Sequence, residues 1–175
     1  MMMTKQIPDK IDVFNIQENI VNSTIKYLQD IGEQRKEGIA YWTGKLEGST
    51  ALVNNTIFPG EYVESDDSEA DSEFHASVSL STAFKVGEII HERNEILLVQ
   101  IHTHPYEAFH SLTDNKYPIS HRLGFISIVV PYFGRNIVNL DHCKIYEYKG
   151  AGNWRELKKN EIKNRFVINK GMNKI

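Results

Sequence analysis

The chain has 175 residues, 41% of them hydrophobic, which suits one globular domain with a sizeable core and leaves little room for a second. Its formal net charge of -3 and pI near 6.2 provide no global basic field to gather phosphate backbones or anionic lipid, which argues against nucleic acid or a membrane surface as the main partner. The start of the chain is polar and no run of eighteen apolar residues occurs anywhere, so a cytoplasmic, soluble protein is expected. The single cysteine, Cys143, has no partner for an internal disulfide and no second thiol for a Cys-rich metal site; a metal here must use histidine and carboxylate.

In chain order, Ile16, Ile20, Val21, Ile25, Leu28 and Ile31 recur at helical spacing, with Asn15 and Glu18 placed as an N-cap and its N3 partner and Gly32 as the stop. Residues 39–43, closed by Gly44, and residues 50–58, rich in Val, Ile and Thr, read as two strands joined through 45–49. Residues 61–73 are acidic and serine-rich, too charged to pack, and read as a loop. A second amphipathic helix is expected over about 79–93, with Leu80, Ala83, Phe84, Gly87 and Ile90 on its inner face.

Residues 96–101 are nearly all apolar, as expected of a strand covered on both faces, and 125–130 form another, stopped by Pro131. Residues 144–148 and 154–157 look like edge strands around a turn at 150–152, and the tail from Glu161 is weakly patterned. The domain is therefore expected over 15–168, between an N-terminal segment (1–14) and a tail (169–175), with helices and buried strands in a three-layer α/β or α+β arrangement.

The segment that carries chemistry is Ile101-His102-Thr103-His104-Pro105, followed by Tyr106-Glu107-Ala108-Phe109-His110-Ser111-Leu112-Thr113-Asp114. Histidines at i and i+2 of an extended chain point the same way and can reach one metal ion. An aspartate ten residues beyond His104 could return to add an oxygen ligand, leaving a fourth tetrahedral position for water, the plan of a catalytic zinc site. A His-x-His spacing alone is weak, since histidines are mostly surface or satisfied core residues; Pro105, Ser111 and Asp114 at the mouth of a buried strand raise its weight. His110 is a rival ligand.

Here the chain resembles the JAB/MPN (JAMM) metalloprotease family, whose signature is a distant Glu, then His-Ser/Thr-His-Pro, then Ser-x-x-Asp. The matching residues are His102-Thr103-His104-Pro105 and Ser111-Leu112-Thr113-Asp114, with Glu37 standing seven residues before Gly44 as the family's Glu does. The family usually has six residues between the proline and the serine, and this chain has five. The resemblance implies a cytidine-deaminase-like fold with a mixed central sheet flanked by helices. It also implies Zn2+ held by His102, His104 and Asp114, with Glu37 as general base and Ser111 stabilising the oxyanion. The implied substrate is an amide bond after the C-terminal glycine of a ubiquitin-like protein, and residues 108–118 and 124–131 are similar to bacterial stand-alone members of isopeptidase type.

Plainer readings stand beside these: a solvated helix-end glutamate for Glu37 and a helix cap for Ser111. At the level of function the alternatives are a non-catalytic MPN scaffold that binds partners, which would lack the ligands, and a zinc hydrolase of a small amide, which would share them. His91-Glu92-Arg93-Asn94-Glu95 resembles a zincin helix with its second histidine replaced by Glu95, and reads as a charged helix end. Cys143 reads as a core or edge cysteine.

Overall fold

The computed structural model describes residues 10–60, 62–64, 79–111, 114–115 and 118–170. Its centre is β2 (Lys36–Glu47), flanked antiparallel by β3 (Thr50–Ile57) and β5 (Ile96–Thr103). β6 (Ile126–Val130) runs parallel to β5, and β7 (Lys144–Gly150) and β8 (Asn153–Glu156) continue the sheet antiparallel. On the other side β1 (Val13–Gln17) lies parallel to β3, and β9 (Phe166–Asn169) parallel to β1. The mixed sheet thus reads β8-β7-β6-β5-β2-β3-β1-β9, with β4 (Tyr62–Glu64) paired to the start of β2 off that path.

Helices α1 (Glu18–Gly32), α2 (Leu80–Glu92) and α3 (Lys159–Arg165) accompany the sheet. Side chains alternate across a strand, so Ala40 and Trp42 face one way from β2 and Ile39 and Tyr41 the other. Trp42 joins the larger core with Ile20, Val21, Ile25 and Leu28 of α1, whereas Ile39 and Tyr41 pack with Val86, Ile89 and Ile90 of α2. The two helices therefore cover opposite faces of β2. The indole N–H of Trp42 donates to Thr24 Oγ1 at 2.8 Å, and that hydroxyl donates to the Ile20 carbonyl, fastening α1 to the sheet at a buried point. Each apolar side chain of the α1 stripe, fully buried, contributes on the order of 1.5–3 kcal/mol.

Helix α3 links the two ends of the sheet. Arg165, closing α3, donates to Glu147 Oε1 on β7 at 2.9 Å and to the Ile11 carbonyl at 2.7 Å, and Arg155 of β8 donates to Glu147 Oε2 at 3.1 Å.

Several expectations need correction. Residues 13–17 form β1, so α1 begins at Glu18; Asn15 is a strand residue bonded to the Asn169 side chain, and the cap position, Gln17, makes no side-chain cap. Phe14 and Ile16 alternate as a strand requires, but Ile16 also fits the helical period, and the helical reading absorbed it. Residues 62–64 pair as β4 instead of looping; the acidic run beyond them, 65–73, lies outside the described residues. The tail from Glu161 contains the rest of α3 and then β9. β7 is not an edge strand, lying between β6 and β8.

The inner face of α2 also differs. Thr82 and Val86 are buried, while Leu80 and Phe84 are 79% and 71% exposed. Ser79 caps this helix, its hydroxyl accepting from the Thr82 N–H at 3.2 Å.

Candidate metal centre

β5 ends in the centre of the sheet with β2 on one side and β6 on the other, so His102 has neighbours on both flanks and is fully buried. The register places His102 opposite Ile39. Strand alternation then puts Glu37, Ile39 and Tyr41 of β2 on the face to which His102 points, the face covered further along by α2. Thr103 faces the other way and its hydroxyl accepts from the Gly38 N–H at 2.9 Å, which locks β2 to β5 beside Glu37. A Cβ at Gly38 would stand 2.9 Å from Leu28 Cδ2 of α1, so that side chain would have to shift.

His104 leaves the strand but stays fastened, its N–H donating to the Val130 carbonyl at 2.9 Å and its carbonyl accepting from the Phe133 N–H at 2.8 Å. Pro105 follows and the chain turns away. It returns at Ser111, where two hydrogen bonds shape a helical turn: the Ser111 N–H donates to Asp114 Oδ2 at 2.8 Å, and the Asp114 N–H donates to Ser111 Oγ at 3.1 Å. Asp114 thereby reaches both histidines, with Oδ1 3.4 Å from His102 Nε2 and Oδ2 3.6 Å from His104 Nε2. One ligand atom from each of the three residues lies within 4.8 Å of the others, and all three residues are buried. The five-residue connection from Pro105 is therefore long enough to deliver Asp114.

The electrostatics are those of a buried polar site. Burial alone would raise the Asp114 carboxyl, but His102, His104 and the Ser111 N–H hold it far below the usual carboxylate range. Burial pulls the His102 imidazole down, and Asp114 with Glu37 more than reverse this, while burial lowers His104. Glu37 is 2% exposed and neither carboxylate oxygen has a hydrogen-bond partner among the described residues. Desolvation raises it to about 7, opposed by His102 and assisted by Asp114, so these groups feel one another. Both ring nitrogens of His102 and Nδ1 of His104 are likewise buried without hydrogen bonds among the described residues. Buried polar atoms of this kind are normally satisfied, and a cation bound through one nitrogen of each imidazole and an Asp114 oxygen would satisfy part of the set. Two imidazoles and one carboxylate form a donor set for a divalent transition-metal ion with coordination positions left open.

The rival, His110, is occupied elsewhere. Its Nδ1 lies 2.7 Å from Asn115 Oδ1 and its Nε2 3.2 Å from Ser127 Oγ, and burial lowers it to about 4. Sequence reasoning missed these partners, and it missed Phe109, whose ring meets His104 edge-on at 4.6 Å between centroids. It also missed the left-handed backbone of Tyr132 and Phe133, at φ 54° and 55°, beside His104. Neither residue is a glycine or asparagine, so no sequence signal marks the turn. His91 is exposed at the end of α2, and Glu95 accepts from Thr43 Oγ1 at 2.6 Å and Asn55 Nδ2 at 2.7 Å, a structural role. Cys143 is buried, its thiol pushed up to about 12 by desolvation.

No protein-family model matches the chain. A protein of Sinorhizobium fredii (strain NBRC 101917 / NGR234) named probable metalloprotease y4jG is 28% identical over 138 residues, 78% of this chain and 82% of that protein. The solution structure of protein DSY2949 from Desulfitobacterium hafniense superposes with a TM-score of 0.63 at 11% identity, covering 92% of this chain and 96% of that one, a likeness of fold.

Proposed function

We propose that this chain is a zinc-dependent peptidase of the JAB/MPN (JAMM) type, acting in the cytoplasm as an isopeptidase that hydrolyses the amide bond after the C-terminal glycine of a ubiquitin-like protein. The observation that carries the metallopeptidase reading is the convergence of His102, His104 and Asp114 within 4.8 Å on the face that also carries Glu37, which has no hydrogen-bond partner among the described residues. The relative's name, probable metalloprotease, supports amide hydrolysis. The His-Thr-His-Pro and Ser-x-x-Asp spacing supports the JAMM class, and with it the cytidine-deaminase-like fold and the substrate.

Zinc, when bound, supplies a Lewis acid and lowers the pKa of water toward about 7. The residues do the rest. His102 and His104 offer imidazole nitrogens and Asp114 a carboxylate oxygen, all three pre-placed by strand end and turn. Glu37 stands on a different strand, buried on the same face as the histidines, and would take a proton from the attacking water and return it to the leaving amine. Ser111 already accepts from the Asp114 N–H and keeps its own proton to donate to the developing oxyanion.

The test is a parallel measurement of zinc content and of cleavage of a ubiquitin-like protein fused at its C-terminal glycine. Wild type should carry one zinc per chain and release the fusion, and Glu37→Gln should keep the zinc and lose about a hundredfold in rate. Wild type without zinc would sink the metallopeptidase reading. Zinc without cleavage would sink the ubiquitin-like substrate and leave a small amide as the better candidate.

A further inference from the structure

The reciprocal hydrogen bonds between Ser111 and Asp114 shape their turn but do not fasten it to the sheet, because both residues belong to it. Among the described residues, His110 reaches out. From its place just before the turn, its ring touches Asn115 Oδ1, one residue past Asp114, through Nδ1 at 2.7 Å. The opposite nitrogen, Nε2, lies 3.2 Å from the hydroxyl of Ser127 on β6. With the carbonyl oxygen of Asn115 as acceptor, Nδ1 carries the proton and Nε2 accepts from Ser127.

The anchor is firm. Ser127 is 1% exposed, lies in the middle of β6 opposite Gln100 of β5, and by alternation shares a face with Val129, the partner of His102. The His110 ring packs, tilted, against Tyr146 of β7 and Trp154 of β8, each 4.6 Å away between centroids. His102 lies 6.4 Å away by the same measure, close enough to share the pocket wall while His110 has no nitrogen left for the ion.

We propose that His110 is a positioning residue: by tying the Ser111–Asp114 turn to β6 it holds the Asp114 carboxylate over His102 and His104, and so sets how tightly the site grips its metal. The inference rests on the metal-site reading above. An imidazole is suited to the task because it is a small flat ring that packs against both aromatics and carries a nitrogen at each end of the span. Phenylalanine would keep the packing and lose both hydrogen bonds.

The experiment is zinc affinity, by competition with a chromogenic chelator, for wild type, His110→Phe, Ser127→Ala, Asp114→Ala and the double variant His110→Phe/Asp114→Ala, with melting temperatures alongside. His110→Phe should weaken zinc about ten- to a hundredfold, the usual effect of losing a group that orients a ligand. In the Asp114→Ala background the same change should cost less than about twofold, since the carboxylate it positions is gone. A purely structural role, or direct ligation by His110, would instead multiply the two penalties. Ser127→Ala cuts the tie from the β6 end and carries the test should His110→Phe fail to fold; it should weaken zinc about threefold or more. Affinities within about twofold of wild type in the single variants, or multiplying penalties in the double, overturn the inference and leave the metal site standing. Wild type that binds no zinc overturns the site itself.

Discussion

Ser111 and Asp114 hold each other: the serine N–H donates to the aspartate carboxylate at 2.8 Å, and the aspartate N–H donates to the serine hydroxyl at 3.1 Å. The helix-cap and catalytic readings of Ser111 are therefore compatible, because an accepting hydroxyl still has a proton to give. Ser111→Ala should cost about 1 kcal/mol of stability as a lost cap and weaken zinc a few-fold through Asp114. Hydrolysis should fall further, by about a hundredfold, as for a lost oxyanion donor. Ser111→Thr keeps the hydroxyl and should restore most of both. Equal losses in zinc affinity and in rate would assign Ser111 to capping alone.

Glu37 gives a prediction that needs no substrate. In the metal-free protein its carboxyl titrates near 7, against 4.5 when solvated, because burial penalises the charge. A raised carboxyl destabilises the native state once the unfolded chain ionises: the penalty is absent below about pH 4.5, grows between 4.5 and 7, and is complete above 7. Glu37→Gln should therefore stabilise the chelated protein at pH 8 by on the order of 3 kcal/mol, and by little at pH 4. Urea unfolding at the two pH values checks it. A gain that does not change with pH would show that the charge is already compensated.

The faces of α2 are open to a direct check. Phe84 is 71% exposed, so Phe84→Ser should move stability by less than about 0.5 kcal/mol. Val86, at 3%, packs with Ile39 and Tyr41, and Val86→Ala should cost about 1–2 kcal/mol. Thermal melts of both variants decide it, and the reverse order would restore the face expected from the sequence.

That face shows where sequence reasoning fails. The outward stripe, with Leu80 and Phe84, is more apolar than the inward one, with Thr82 and Val86, and periodicity follows the more apolar stripe. β5 was legible for the opposite reason: covered on both sides, it shows an unbroken apolar run. β1 and β9 are short and pair in parallel with partners far away in sequence, so nothing local marks them. At the site, the spacing of His102 and His104 at a strand end and the Ser-x-x-Asp pattern were readable as chemistry. The burial of Glu37 and the anchoring of His110 on Ser127 arise from strands brought together only by folding.

The join between the two ends of the sheet predicts acid behaviour. Glu147 is fully buried on β7, yet its carboxyl is pulled down to about 2: burial alone would raise it, and Lys149, Arg165 and Arg155 together more than offset that. A depressed carboxyl stabilises the native state at pH values above its unfolded pKa of about 4.5, and the contribution is lost as pH falls from there toward 2. Its full size is on the order of 3 kcal/mol. Wild type should accordingly lose stability steeply between pH 4.5 and 2, and Glu147→Gln should be less stable at pH 7 but flatter over that window. Removing one partner also leaves Arg165, itself 7% exposed, without its buried counter-ion, which costs about 3–5 kcal/mol in comparable pairs. Because Arg165 bonds the Ile11 carbonyl as well, that loss should loosen β1 and β9 first, and amide hydrogen exchange should report faster opening there than in β5 or β6. Parallel pH profiles for wild type and Glu147→Gln would show that the cluster contributes no net charge stabilisation.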